Sequence, residues 1–204
     1  SVSEKSIGRR NLLVGSAFLR EDNHVEITDG VRIEMNSGYQ GTNCIHSIDD
    51  TDGTPHYRGA FWDGSQGGKS IKITKGKKYV LSCYYKTNDT NGRIFLEALY
   101  TDEQTNAKRT GNGPTYLTQS NFIVTKLNQW ELFTTVIDTT NAGEKDNYLA
   151  FNFFEYSNGN FGRINAYICR PMVEEGDTYN GWTLSQYDYD IIGANLIDNS
   201  RTLD

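Results

Sequence analysis

The groups in this 204-residue chain best able to ligate a metal or act as nucleophiles are three histidines and three cysteines. Their spacing argues against such chemistry. His24, His46 and His56 stand 22 and 10 residues apart, with no H-E-x-x-H pair and no nearby cysteine, so a zinc centre has no support. Cys44, Cys83 and Cys169 are an odd number without a C-x-x-C pair. That excludes a disulfide scaffold, and the apolar neighbours of Cys83 and Cys169 mark them as small core residues. Asp63-Gly64-Ser65-Gln66-Gly67 has an aspartate where a nucleophile elbow needs glycine, and Gly111-Asn112-Gly113 is too short for a dinucleotide loop. Glycoside hydrolysis needs two carboxylates about 5–9.5 Å apart. The chain offers isolated strand acids, Glu97 and Glu155, and an acidic turn, Glu174-Glu175-Gly176-Asp177. Asp49-Asp50-Thr51-Asp52-Gly53 supplies too few oxygens for a calcium loop and reads as a solvated turn.

Aromatic and planar polar residues suggest binding instead. Rings cover the apolar faces of a ligand, while amides, carboxylates and guanidinium groups meet paired hydroxyls. The segment from His56 to Gly64 reads as a glycine-flanked loop carrying Tyr57 and an exposed Trp62. On the strands, the non-core registers place Tyr84, Arg93, Glu97, Asn152 and Tyr156 on an open side, with Phe95 and Phe154 among them. The candidate ligand-binding set is therefore Trp62, Tyr57, Tyr84, Arg93, Glu97, Asn152 and Tyr156.

Positioning these residues falls to short strands. Apolar residues alternate at period two between Gly, Asn and Asp punctuation over residues 25–28, 31–35, 70–74, 79–86, 93–101, 130–138, 148–156 and 164–173. Asp29-Gly30 reads as a tight hairpin. Core registers are Tyr79, Leu81, Cys83, Tyr85 and Leu149, Phe151, Phe153, and Trp130 with Leu132, Thr134 and Val136 reads as a further core row. A helical turn finds room only between Thr101 and Thr110. About ten strands with short connections predict an all-β chain, an antiparallel two-sheet β-sandwich of jelly-roll type.

Twenty-six acidic against twenty basic residues give a net charge of −6, which repels nucleic-acid phosphate and anionic lipid. No apolar run is long enough for membrane insertion, and residues 1–10 are not a signal peptide. Asn11-Leu12-Leu13-Val14-Gly15-Ser16 returns as Asn195-Leu196-Ile197-Asp198-Asn199-Ser200, at an offset of 184. The expected organisation is a linker at 1–10, one module at 11–186, and at 187–204 a linker with the start of a second repeat.

Four segments together carry a family resemblance: Asn11-Leu12-Leu13, Gly76 to Ser82, Trp130-Glu131-Leu132-Phe133, and Arg170-Pro171-Met172-Val173-Glu174-Glu175-Gly176 with Trp182-Thr183-Leu184-Ser185. In this order they resemble the carbohydrate-binding-module-like jelly rolls of bacteriophage tail proteins and of some secreted polysaccharide-degrading enzymes. The resemblance implies a noncatalytic glycan-binding module of a phage tail or tail fibre that contributes to host attachment, in the virion or outside the cell. Its partners would be a cell-surface glycan or polysaccharide and neighbouring modules or virion subunits. It implies no required cofactor and leaves room for a structural calcium ion. The alternatives are a structural spacer of the virion and an accessory module of a secreted glycan-degrading enzyme.

Overall fold

The computed structural model describes residues 10–19, 22–47, 56–90, 92–110, 116–157 and 165–192. Asp49-Asp50-Thr51-Asp52-Gly53 and the second copy of the terminal repeat lie outside them. Among the described residues eleven strands form two antiparallel sheets, as the alternation predicts. They are β1 (Glu26–Ile27), β2 (Val31–Glu34), β3 (Cys44–Ser47), β4 (His56–Trp62), β5 (Ile71–Lys72), β6 (Lys78–Thr87), β7 (Arg93–Thr101), β8 (Tyr116–Ile123), β9 (Glu131–Asp138), β10 (Tyr148–Ser157) and β11 (Ala166–Glu175). The front sheet runs β1-β4-β10-β7-β8, with β5 also on β10, and the back sheet runs β2-β3-β11-β6-β9.

Between the sheets lies the core. Ile94, Leu96 and Ala98 of β7, Leu149, Phe151 and Phe153 of β10, and Ala60 and Trp62 of β4 meet Tyr79, Leu81, Cys83 and Tyr85 of β6, Ile45 of β3 and Ile168 of β11. The two registers read from β6 and β10 are those observed. On β11 an extra residue between Cys169 and Met172 resets the alternation, with Arg170 at φ +52°, so that Val173 returns to the core. All three cysteines are free and buried, and burial pushes the Cys44 thiol up to about 12 and the Cys169 thiol up to about 11.

Three expectations change. Asp29-Gly30 does not close a hairpin: β1 pairs with β4 and β2 with β3, so the turn carries the chain from front sheet to back. A tight reversal satisfies its own backbone in either case, and pairing is settled by distant strands. On β9 the faces are inverted: Phe133 and Ile137 pack inward, Leu132 and Val136 are exposed, and Trp130 lies on the outer side under Lys86. The 102–110 connection holds no helix; it is a bent loop tied back by a Thr101–Arg109 bridge.

Both ends of the sandwich meet at one place. The buried Asn11 side chain donates from Nδ2 to Ser16 Oγ (3.0 Å), Pro171 O (3.0 Å) and Thr183 O (3.1 Å), and Oδ1 accepts from the Leu13 and Val173 amides. Arg10 pairs with the buried Glu174 at 2.7 Å. Residues 186–192 form a short helix, and Asp188 accepts from Gly15 N and Ser185 Oγ. Arg10 and this helix, which begins at residue 186, therefore pack onto the sandwich.

Candidate functional site

Four strands of the front sheet send alternate side chains away from the core, and the register stacks them in rows. Phe61, Asn152, Glu97 and Gln119 form one row across β4, β10, β7 and β8. Gly59, Phe154, Phe95 and Asn121 form the next. Tyr57 and Tyr156 are paired in a third.

The aromatic row is held together by Gly59. A Cβ there would stand 2.0 Å from the Phe153 carbonyl oxygen, so only glycine lets β4 lie this close to β10. The Phe154 ring is stacked between Phe61 (5.4 Å) and Phe95 (5.1 Å), with Tyr57 edge-on at 5.8 Å. Phe154 is thereby buried, while Tyr57 is 58% exposed and offers its ring to solvent.

Beside these rings runs a chain of hydrogen bonds. Asp63, fully buried, accepts from Ser65 N and Oγ through Oδ1 and from Asn152 Nδ2 through Oδ2 (3.1 Å). The same Asn152 nitrogen donates to Glu97 Oε1 (2.9 Å), and Gln119 Nε2 donates to Glu97 Oε2 (3.1 Å). Buried Asn152 Oδ1 has no partner among the described residues. Glu97 is 5% exposed, and its pKa lies above the ordinary 4.5. Desolvation is the main cause, helped by the Asp63 charge and opposed by the two amides and by Arg109.

Rings and polar chain border a groove of about 470 Å³, rimmed also by Glu26, Asp29, Gln66 and Arg109. The loops bearing Gln66 and Arg109 are bound to each other, since Ala107 N donates to Gly64 O and Gly64 abuts the Gln104 carbonyl. The groove can cover an apolar ligand face with Phe61 and Tyr57 while Glu97, Gln119 and Arg109 meet hydroxyls.

Of the sequence candidates, Tyr57 and Glu97 line the groove, and Asn152 lies beneath it holding Glu97. Tyr156 and Arg93 share the outer face but do not line it; Tyr156 flanks Tyr57 at 4.9 Å. Trp62 is a correction. The 56–62 segment is strand β4, not a loop, and period two turns Trp62 inward, fully buried, its Nε1 donating to Val14 O at 2.7 Å. Tyr84 is another: it lies on the back sheet, stacked on Tyr39 at 4.0 Å, on the far side from Tyr57. Glu97 and Glu155 point to opposite faces of the front sheet. Glu155 is fully buried and accepts from Ser47 Oγ, so the two cannot act as an acid–base pair on one ligand.

The raised Glu97 pKa fixes a sign. The folded chain binds this proton more tightly than the unfolded chain, so the contribution of Glu97 to stability is fully present below 4.5 and is lost as pH rises through the folded pKa. Thermal unfolding from pH 4 to 7 is expected to show wild type losing stability relative to Glu97→Gln as pH rises. Parallel profiles would contradict this.

No protein-family profile matches the chain, and no curated protein sequence is similar to it. Solved structures similar in fold include TmCBM61 in complex with β-1,4-galactotriose (TM-score 0.54, 9% identity, covering 82% of this chain and 99% of that one). Another is arabinose-bound MgGH51 α-L-arabinofuranosidase (0.55, 12%, 84% and 27%). A third is the enzymatically active domain of tailspike protein 4 from bacteriophage CBA120 (0.50, 13%, 83% and 22%). The chain has the antiparallel β-sandwich fold found in carbohydrate-binding modules, and among its described residues no helix is long and apolar enough to cross a membrane.

Proposed function

We propose that this chain is a noncatalytic glycan-binding module whose site is the front-sheet groove. The observation that carries this reading is the pairing of an open aromatic wall, Tyr57 and Phe61, with a fixed row of hydrogen-bonding groups, Glu97 and Gln119. The preference for the front sheet follows from its groove and from burial of the outer back-sheet residues at the centre of β6 and on β11, although Leu132 and Val136 of β9 are exposed. Val80 and Ser82 of β6 are buried, and Arg10 and Asn180 bind Glu174 of β11. A virion spacer would present an apolar or tightly covered sheet face in place of this open aromatic groove. The finer setting we propose is a phage tail or tail fibre, at the host surface. It is supported by the terminal Arg170–Ser185 pattern and by the tailspike likeness. An accessory module on a secreted glycan-degrading enzyme would use the same groove. Binding of this kind requires no cofactor.

A single such site is weak, with millimolar affinity corresponding to about −4 kcal/mol. Several copies engaging together raise avidity by roughly 10²- to 10⁴-fold. Screening the protein on arrayed bacterial capsule and cell-wall glycans tests the reading. Tyr57→Ala and Phe61→Ala are each expected to weaken binding about tenfold, the loss of one stacking contact of about 1.4 kcal/mol. Tyr84→Ala leaves it unchanged. Silence across the array, or equal loss with Tyr84→Ala, overturns the assignment.

A further inference from the structure

The polar lining of the groove is unevenly charged. Glu26, Asp29 and Glu97 bring three carboxylates to it, and Arg109 is the one cationic side chain among the lining residues. Their hydrogen-bonding capacity is equally one-sided. Asn152 spends its amide nitrogen on Asp63 and Glu97, and Gln119 spends one hydrogen on Glu97. A carboxylate accepts about four hydrogen bonds, and the described protein groups supply Glu97 with two. What faces a ligand at the floor is thus mainly acceptor capacity. The donors there are Arg109, Gln66 and the second amide hydrogen of Gln119, and the Arg109 charge is felt by Glu97, which it helps to keep ionised. Glu26 lies against Gly67, where a Cβ would stand 3.0 Å from its Oε2, so this acid is seated beside the Gln66 turn at the rim.

We infer that the groove takes glycans that are uncharged or carry a free amine, and turns away those bearing carboxylate, sulfate or phosphate groups. The inference rests on the glycan-binding reading above. Ring stacking on Tyr57 and Phe61 is nearly blind to substituent charge, so the discrimination falls to the acids. A sugar hydroxyl or ammonium donates to Glu97, whereas an anionic substituent meets three like charges and has only Arg109 as an ionic partner. The low dielectric around a mostly buried carboxylate strengthens both effects.

The test uses the whole chain on an array of oligosaccharides two to six sugars long: chito-oligosaccharides with and without N-acetyl groups, β-1,4-galactan, xylan and glucan fragments, and oligogalacturonates. The expected result is binding confined to the uncharged and amine-bearing probes, with oligogalacturonates at least tenfold weaker than galactan fragments of equal length. In the rim variant Glu26→Gln/Asp29→Asn that gap narrows several-fold, while the thermal midpoint stays at the wild-type value because both side chains are exposed. Oligogalacturonates binding as well as the uncharged probes, or an unchanged gap in the rim variant, overturns the selectivity and leaves glycan binding standing. An array with no bound probe of any class overturns both.

Discussion

Trp62→Ala is expected to lower the stability of the fold by about 3–5 kcal/mol, the usual cost of emptying a large aromatic site in a packed core. The side chain is fully buried between the sheets, edge-on to Phe153 at 5.9 Å. Its Nε1 also gives Val14 O a partner that alanine cannot replace. In a chain of this length the loss corresponds to a fall of roughly 6–20 °C in thermal midpoint. Trp62→Phe retains most of the packing and loses the hydrogen bond, so a drop of about 1–2 kcal/mol is expected. Glycan affinity, measured well below the midpoint, stays at the wild-type value for both. A Trp62→Ala protein that melts like wild type but no longer binds would show that the ring faces ligand after all.

Asn11→Ala is expected to cost about 3–4 kcal/mol, because one small side chain serves five neighbours. Two amide hydrogens are shared among Ser16 Oγ, Pro171 O and Thr183 O, and one carbonyl oxygen takes the amides of Leu13 and Val173. Alanine leaves several of these buried polar groups without partners, and each such loss costs about 1–3 kcal/mol before water or relaxation recovers part of it. Ser16→Ala removes one acceptor and is expected to cost about 1 kcal/mol. Calorimetry on the two variants checks the ordering. Equal midpoints for Asn11→Ala and wild type would mean that the Asn11 bonds contribute nothing net.

Alternation made much of the fold legible. Tyr79, Leu81, Cys83 and Tyr85 had to share one face of a strand, as did Leu149, Phe151 and Phe153, and the same logic sent Phe95, Glu97, Asn152, Phe154 and Tyr156 to the opposite side. Pairing partners were not legible, because a Gly-bearing turn such as Asp29-Gly30 reverses the chain without saying which sheet receives it. β4 was hidden by its own glycines. Gly59 and Gly64 read as loop punctuation, yet both serve close backbone approach within the folded sheet and its adjoining turn. With the strand unrecognised, Trp62 could not be assigned inward and Phe61 outward. On β9 the exposed Leu132 and Val136 mimicked a core row. The rim groups Glu26, Asp29, Gln66, Arg109 and Gln119 come from separate segments, and only the assembled sheet brings them around one groove.

The meeting of Arg10, Asn11, Glu174 and Thr183 sets how the molecule carries load. Arg10 N donates to Thr183 Oγ1 at 3.1 Å, although the two residues are 173 positions apart. Tension entering at Arg10 and leaving beyond Thr183 is therefore borne by a handful of bonds joining neighbouring segments, and the strands between them are largely bypassed. Tethered through these points, the module would hang as a pendant, and drag on the tether would reach the strands of the front-sheet groove only after that knot had given way.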